Sequence, residues 1–268
     1  MHLGLIGHGN IAMTLLALLE GPLSPARLTL RTRAGRAEAA RAALPGCAFP
    51  VEVVDSAGAL LAARPDLVVE CAGHAGVAEN APTLLRAGID VMVVSVGALA
   101  DAALERDLHA AARDGGARMI LPPGAVGGID LLAALAPSGD LEVRYRGVKP
   151  PAAWAGTPAE QVVDLAGLTG ATTFFEGTAR EAARAYPKNA NVAATLALAG
   201  AGFEATRVEL VADPAAAGNI HAYEVRSALA RYEMRIENLP SSGNIKTSAA
   251  TIYSLLREIR NRIGPVAI

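Results

Sequence analysis

The sequence predicts an α/β protein made of a doubly wound parallel domain followed by a second, α+β domain with a mostly antiparallel sheet. Over the first half, short aliphatic runs alternate with alanine-rich stretches of helical spacing. A glycine-rich turn follows the first aliphatic run directly. After residue 121 the alternation gives way to longer runs of alternating polarity. Strand–helix alternation favours a parallel sheet, and longer alternating strands favour an antiparallel one.

Six strands and five helices are predicted in the first half. Runs such as "DLVVECAG" are apolar on both faces, which is typical of strands buried in a parallel sheet. The predicted strands cover residues 2–6, 27–33, 51–54, 67–71, 91–96 and 118–121, and the helices cover 10–19, 34–43, 57–63, 77–87 and 102–113.

The second half has a different organisation. Pro122 and Pro123, with the glycines that follow, are a plausible hinge, so we expect one domain over residues 1–121 and another over 122–245. "LEVRYRGV" predicts a strand, and "FFEGTAREAARAYPKNANVAATLALAGAG" predicts two helices broken at Pro187. "TRVELVAD", "IHAYEVRSA" and "RYEMRIENL" predict three strands at hairpin-like spacing. A last helix over residues 246–268 is expected to pack back on the first domain.

Composition excludes several classes of partner. The 268 residues are 52% hydrophobic with a net charge of -2, so neither nucleic acid nor an anionic membrane is expected as a partner. No apolar run reaches the roughly 20 residues that span a bilayer. Cys47 and Cys71 match no metal or redox spacing, so we expect no metal, reduced thiols and a cytoplasmic location.

The turn after the first strand reads G-x-G-x-x-A, from Gly7 through Gly9 to Ala12. Between a strand and a helix this pattern is typical of the dinucleotide-binding turn of a Rossmann domain. The helix N-terminus then offers N–H groups to the phosphates, which makes Asn10 and Ile11 cofactor-binding candidates as well. The alternative is a tight turn that binds no ligand.

The end of the second predicted strand lacks the acidic residue that would bind the ribose hydroxyls of NAD. Arg31 and Arg33 stand there, and arginines can bind the 2′-phosphate of NADP. We therefore expect NADP to be accepted and NAD to remain usable, unless both side chains are simply solvated. Ala72 and His74 follow the strand at residues 67–71 and are further cofactor candidates; His74 could equally be an ordinary helix-start residue.

His221 is the candidate catalytic residue, because an imidazole with an ordinary pKa exchanges protons near neutral pH. The alternative is a surface histidine. Asn189 is a candidate for substrate binding, and Asn191 is either a site residue or a helix N-cap. Lys246, Thr247 and Ser248 lie in the predicted loop "PSSGNIKTS", which is either a carboxylate-binding site or a plain capping loop.

Over nearly its whole length the sequence resembles the L-aspartate dehydrogenases. The specific segments are "PPGAVGGID", "KPPAAW", "FFEGTAREAARAYPKNANVAATLAL", "NIHAYEVRS" and "NLPSSGNIKTS". The resemblance implies NAD(P)-dependent oxidation of L-aspartate to iminoaspartate, with ammonia and oxaloacetate as further products and a possible link to NAD biosynthesis. It implies that His221 is the active-site histidine and that Ala125 and Asn191 contact the cofactor. It also implies that the second domain carries catalysis and that the protein is a homodimer.

Two other functions remain open from the residues themselves. One is a reductase or dehydrogenase of another aspartate-derived intermediate, such as a semialdehyde or a cyclic imine. The other is a regulator that senses NADP without turnover. A histidine and a lysine–hydroxyl loop argue against a pure sensor, which needs no proton carrier.

Overall fold

The structure is a computed structural model that describes residues 1–238, 240–241 and 244–268, with side chains described for residues 1–238 and 248–268. The chain divides into two compact units. Unit 1 consists of Met1–Pro122 and Ile252–Ile268, and unit 2 consists of Pro123–Thr251. Within the described residues, every helix is too short or too polar to cross a bilayer.

Unit 1 is built on a six-stranded parallel sheet with the strand order β3-β2-β1-β4-β5-β6. Strands β1, β4 and β5 are buried at every position, as expected where helices cover both faces. The order reverses direction between β1 and β4, so the predicted doubly wound fold is confirmed. The strands are β1 (His2–Ile6), β2 (Arg27–Arg31), β3 (Val51–Val54), β4 (Leu67–Glu70), β5 (Asp90–Val93) and β6 (Met119–Ile120).

Five helices connect these strands: α1 (Asn10–Leu18), α2 (Ala37–Ala43), α3 (Ala57–Ala63), α4 (His74–Arg86) and α5 (Ala102–Gly115). Helix α4 begins at His74, earlier than the apolar spacing predicts. The carboxylate of Glu70 accepts hydrogen bonds from the N–H groups of Ala72 and Gly73, which fixes the chain just before the helix.

The C-terminal helix α9 (Ala249–Ile263) contributes to the core of unit 1. Ile252, Leu255 and Ile259 are buried in one cluster with Leu3 and Leu5 of β1. Their spacing places them along a single stripe of the helix, and burial of that stripe stabilises its attachment.

Unit 2 contains a five-stranded sheet in the order β11-β10-β7-β9-β8. Strand β7 is antiparallel to β10 and parallel to β9, and the other two pairings are antiparallel. The predicted mostly antiparallel second sheet is therefore confirmed. The strands are β7 (Glu142–Lys149), β8 (Thr172–Thr178), β9 (Arg207–Ala212), β10 (Asn219–Arg226) and β11 (Arg231–Asn238), and the helices are α6 (Ile129–Leu135), α7 (Ala179–Ala185) and α8 (Asn191–Ala199).

Two predictions for unit 2 are wrong in detail, and one helix was missed. The segment "TTFFEGT" is strand β8 rather than the start of a helix, because its β-branched and aromatic residues pair along β9. Strand β9 does not pair with β10, since β7 lies between them. Helix α6 was not predicted at all.

The expected loop before the last helix is also wrong. Residues Pro240–Ser241 form β12 and Asn244–Ser248 form β13, which pair antiparallel. Helix α9 therefore begins at Ala249 and not at residue 246.

Candidate functional site

The glycine turn of unit 1 has the geometry that a nucleotide phosphate needs. Gly7 has φ +96°, and a Cβ there would lie 2.8 Å from the carbonyl oxygen of Cys71. Gly9 precedes α1 without any side-chain cap, and a Cβ on Gly9 would meet nothing within 4 Å. The start of α1 thus has no side-chain cap, and the space beside Gly9 is open; a helix N-terminus of this kind can bind a pyrophosphate.

A cavity of about 260 Å³ lies beside this turn. It brings together several residues that the sequence predicted as cofactor contacts, whereas Ala12 is fully buried inside α1 and His74 is the first residue of α4. The described lining residues are Ile6, Gly7, His8, Gly9, Arg31, Thr32, Arg33, Arg36, Cys71 and Ala72.

The cavity wall is basic, and none of its described lining residues is acidic. Arg31 is 7% exposed and its guanidinium forms an ion pair with Glu79 of α4, so the alternative of a solvated Arg31 is wrong. Arg33 and Arg36 are exposed and line the same cavity. Arg36 was not predicted. The dinucleotide-binding motif places the residue that distinguishes NAD from NADP at the end of the second strand, whereas Arg36 lies in the turn that follows.

Glu70, the last residue of β4, is fully buried and was also missed. Its Oε1 accepts hydrogen bonds from the N–H groups of Ala72 and Gly73 at 2.6 and 2.8 Å and from Ser95 Oγ at 3.1 Å. Its Oε2 accepts from the Ser95 N–H at 3.0 Å. Burial raises the pKa of Glu70, and these donors oppose that shift. One carboxylate thus holds the turns after β4 and β5, beside Gly7. A lone acid in the apolar run "LVVECAG" was the available signal.

In unit 2, His221 lies within β10 and is 3% exposed, so the alternative of a surface histidine is wrong. The hydroxyl of Tyr145 on β7 is hydrogen-bonded to its Nδ1 at 2.7 Å. Tyr145 is itself buried, and burial raises the pKa of its phenol. The phenol therefore stays protonated and fixes the orientation of the imidazole.

Gly147 makes this hydrogen bond possible. It pairs directly with His221 across β7 and β10. A Cβ at position 147 would lie 2.6 Å from the hydroxyl oxygen of Tyr145 and 3.1 Å from its Cζ. The missing side chain gives the Tyr145 ring room to lie along the sheet as far as His221.

Lys149, the last residue of β7, is a buried cation close to this pair and was not predicted as a site residue. It is 4% exposed, and its Nζ lies 5.3 Å from the centroid of the Trp154 ring. Trp154 is held in turn by a 3.0 Å hydrogen bond from Nε1 to the carbonyl of Val211. Burial, and then the charge of Lys149, lower the pKa of His221 to about 3. The expectation of an ordinary histidine pKa is therefore wrong for the protein without ligand.

A second group of predicted residues is joined by hydrogen bonds. Ser248 Oγ donates to Asn238 Oδ1 at 2.8 Å, and Asn238 Nδ2 donates to the carbonyl of Ala125 at 2.9 Å. Ser248 Oγ also accepts from the N–H of Ala250 at the start of α9. Ser248 therefore caps a helix and supports the Ala125 loop. The side chains of Lys246 and Thr247 lie outside the described residues.

The two predicted asparagines have structural partners. Asn189 is 8% exposed and its Nδ2 donates to the carbonyl of Ala153 at 3.2 Å. Asn191 is the first residue of α8 and follows the N-cap position, which Ala190 occupies. The N-cap alternative for Asn191 is therefore wrong.

These features define a dinucleotide-binding protein of the Rossmann class with a second unit that carries a buried histidine. Comparisons with known proteins specify it further. The family model for the C-terminal domain of aspartate dehydrogenase matches residues 130–262, and the model for the NAD-binding domain of homoserine dehydrogenase matches residues 7–122.

Several relatives match along their whole length. An L-aspartate dehydrogenase of Ruegeria pomeroyi is 51% identical over 264 residues, which is 98% of this chain and 92% of the relative. One of Cupriavidus necator is 44% identical, with 100% of both chains covered. The crystal structure of aspartate dehydrogenase from Thermotoga maritima has a TM-score of 0.75 at 30% identity, covering 100% of this chain and 99% of the other. The chain belongs to the L-aspartate dehydrogenase family of NAD(P)-dependent oxidoreductases.

The buried carboxylate of Glu70 generates a stability prediction. In Glu70→Gln, an amide nitrogen that replaces Oε2 would face the Ser95 N–H, so one buried donor loses its acceptor. We expect the free energy of unfolding to fall by about 1–3 kcal/mol. Urea unfolding at neutral pH, followed by circular dichroism, measures it. Glu52→Gln, at an exposed position of β3, is the matched control and should change stability by less than about 0.5 kcal/mol. Equal stability of the two variants would contradict this role for Glu70.

The lowered pKa of His221 generates a prediction about acid stability. The pKa of His221 is 6.5 in the unfolded chain and about 3 in the folded protein. Between those values the unfolded chain binds the extra proton, so this contribution to stability is present above pH 6.5 and is lost as pH falls. Wild type should lose stability relative to His221→Asn by up to about 1.4 kcal/mol per pH unit below pH 6. Urea unfolding of both proteins from pH 7 to 4.5 measures the two slopes. Parallel slopes would show that His221 is not held neutral.

Proposed function

We propose that this protein oxidises L-aspartate with NAD(P), forming iminoaspartate, which water converts to oxaloacetate and ammonia. The observation that carries the proposal is the 51% identity over 98% of the chain to a protein named L-aspartate dehydrogenase. The buried imidazole of His221, hydrogen-bonded to Tyr145 and close to a buried ammonium, supports it chemically.

The cofactor residues follow from the cavity of unit 1. Gly7, Gly9 and the N–H groups of Asn10, Ile11 and Ala12 would hold the phosphates, and the open space at Gly9 supports this assignment. Ala72 and His74, near the turn that Glu70 holds, and Arg31 and Arg33 are further candidates for binding the cofactor. Ala125 and Asn191 of unit 2 remain candidates that the family resemblance implies. When bound, the nicotinamide accepts a hydride from the α-carbon of the substrate.

His221 handles the protons of this reaction. The substrate amine must be neutral before hydride leaves, so a base has to accept one of its protons. In the tautomer whose Nδ1–H donates to the Tyr145 oxygen, Nε2 is the ring nitrogen that can accept this proton. After that proton passes to solvent, the same nitrogen activates the water that attacks the imine carbon. General base catalysis of this kind contributes roughly 10²–10⁴ in rate. Asn189, Lys246, Thr247 and Ser248 remain our candidates for binding the substrate.

We also propose that NADP is preferred over NAD. Arg33 and Arg36 are exposed on the cavity wall and available for a 2′-phosphate, whereas Arg31 is engaged by Glu79. The ribose diol of NAD is usually bound by a carboxylate, and the described lining residues include none.

The proposal also covers location, assembly, reversibility and the use of the product. We propose a cytoplasmic homodimer that catalyses the reaction in both directions, and whose iminoaspartate can be used for NAD biosynthesis. Size measurement in solution and assays with oxaloacetate, ammonia and reduced cofactor test the assembly and the reverse reaction.

Replacing His221 by alanine tests the reaction. We expect turnover of aspartate to fall by about 10²–10⁴, because the proton acceptor is lost, while affinity for the dinucleotide stays within a few-fold. The measurement is absorbance of the reduced cofactor with NAD or NADP and a panel of amino acids. Unchanged turnover would remove His221 from the mechanism.

The same assay separates the alternative functions. Signal with aspartate alone supports the proposal. Signal with a semialdehyde or a cyclic imine instead would indicate the related reductase, and dinucleotide binding without turnover of any substrate would indicate a sensor.

Replacing Arg33 and Arg36 together by glutamine tests the coenzyme preference. We expect kcat/KM for NADP to fall roughly 10²- to 10⁴-fold and kcat/KM for NAD to change little, since each of the two charge-assisted hydrogen bonds contributes about 1.5–3 kcal/mol. Arg41→Gln is the matched control, because Arg41 lies on α2 and donates to the carbonyl of Val53. An unchanged NADP-to-NAD ratio would contradict the assignment.

A further inference from the structure

The end of strand β2 carries a buried cation beside the glycine turn. Arg31 is the last residue of β2 and is 7% exposed. Its carbonyl oxygen accepts a 2.9 Å hydrogen bond from the N–H of Gly7, so the residue lies directly against that turn. Arg31 also lines the cavity of unit 1. It therefore occupies the strand-end position that contacts the adenosine ribose in Rossmann domains.

The sheet register determines which helix this side chain reaches. Arg31 and Glu70 lie opposite Ile6 on the two strands beside β1, so all three side chains point to one face of the sheet. Helix α4 packs on that face, because a Cβ at Gly76 would lie 3.5 Å from Glu70 Oε1. Glu79 follows Gly76 by about one helical turn and lies on the same side of α4.

Two acids thus lie on the face that Arg31 occupies, and they have different partners. Glu70 uses both of its oxygens on the N–H and hydroxyl donors described above. Glu79, whose side chain is 57% exposed, forms an ion pair with Nη2 of Arg31. Because a buried guanidinium loses its hydration, an anion beside it is needed to offset the cost. Glu79 supplies that anion.

One donor of Arg31 is not used by this ion pair. Its Nε is buried and has no hydrogen-bond partner among the described residues. A buried N–H without an acceptor costs free energy in the protein alone. Since Arg31 lines the cavity, an oxygen of the adenosine ribose or of its 2′-phosphate would supply the acceptor. The unpartnered Nε is therefore an indication of a ligand that is independent of the sequence motif.

The ion pair affects the two coenzymes differently. With Glu79 in place, the charge of Arg31 is offset, and its Nε–H can donate to a neutral ribose hydroxyl without a strong preference for an anion. Without that carboxylate, the guanidinium would carry an uncompensated positive charge. Such a charge attracts the 2′-phosphate of NADP and gains little from the hydroxyl of NAD.

We propose that Glu79 is a positioning residue that sets coenzyme preference, because it holds Arg31 beside the ribose and offsets its charge. The inference rests on the proposed function for the roles of Arg33 and Arg36, which attract the 2′-phosphate. Glu79 acts in the opposite direction and keeps NAD usable. The position lies on α4, far along the chain from the strand end at which the motif places coenzyme specificity.

The test uses Glu79→Gln in the full-length protein and measures the Kd of NADPH and of NADH separately, by fluorescence titration without aspartate. We expect the Kd of NADPH to fall roughly 3- to 10-fold and the Kd of NADH to stay within about 3-fold, because only the charge of the pair is lost. Glu79→Asp keeps the charge and should retain the wild-type ratio of the two constants better than Glu79→Gln.

Two controls show whether the effect passes through Arg31. Glu20→Gln removes an exposed carboxylate that follows the end of α1 away from the glycine turn, and it should leave the ratio unchanged. Arg31→Met removes both the charge and the Nε–H. In the Arg31→Met background, Glu79→Gln should no longer change the ratio, since the two residues act as a pair.

A second measurement isolates the adenosine end of the cofactor. The probes are adenosine 2′,5′-bisphosphate and adenosine 5′-monophosphate, which differ only in the 2′-phosphate and carry no nicotinamide. Glu79→Gln should strengthen binding of the bisphosphate relative to the monophosphate by a factor similar to that for the complete cofactors. A merely structural ion pair would weaken the binding of both probes alike.

The outcomes separate this inference from the proposed function. If Glu79→Gln leaves the ratio of the NADPH and NADH constants unchanged, or weakens both equally, the role of Glu79 is overturned whether or not the protein oxidises aspartate. If the ratio shifts while wild type prefers NAD, the role of Glu79 stands and the proposed preference for NADP fails. If the ratio shifts and aspartate is not oxidised, the role of Glu79 stands and the proposed reaction fails.

Discussion

The chemistry of unit 2 depends on one hydrogen bond, between the Tyr145 hydroxyl and Nδ1 of His221. Gly147 permits it, because any larger residue there would occupy the space of the tyrosine ring. The bond orients the imidazole and engages its Nδ1 rather than its Nε2. Burial, and then the charge of Lys149, lower the pKa of that imidazole to about 3 and so favour its neutral form. Orientation and charge are thus set by two residues on a single strand, β7.

In unit 1 the decisive feature is the close packing of two backbone turns, one at Gly7 and one after β4. Gly7 has a positive φ, and a Cβ there would also clash with the carbonyl oxygen of Cys71. Glu70 holds that neighbouring turn by hydrogen bonds. The carboxylate uses its oxygens on buried backbone donors, so it serves as a rigid support rather than as an acid–base group. Arg33 and Arg36 make one wall of the cavity beside this turn basic.

Much of the fold was predictable because its signals are local. Runs that are apolar on both faces, such as the one that forms β4, predicted strands buried in a parallel sheet, and the glycine turn identified the loop between β1 and α1. Predictions were wrong where pairing partners decide the structure. The segment from Thr172 to Thr178 became a strand because β9 lies beside it, and no local pattern indicates that β7 separates β9 from β10. His221 was identified as a candidate because histidine is a residue type that exchanges protons near neutral pH. Lys149 was missed because the sequence does not show that this lysine, at the end of a strand, is buried.

The sequence by itself determined the two-part α/β architecture, the dinucleotide turn at Gly7 and the histidine at position 221, because glycine spacing, hydrophobic periodicity and a rare titratable residue are properties of short segments. Tertiary structure alone decided that Glu70 and Lys149 are buried, that Arg31 pairs with Glu79, and that Tyr145 reaches His221. Those features depend on the register between strands and on the exclusion of water around charges. Both arise only when segments distant in the chain pack against each other.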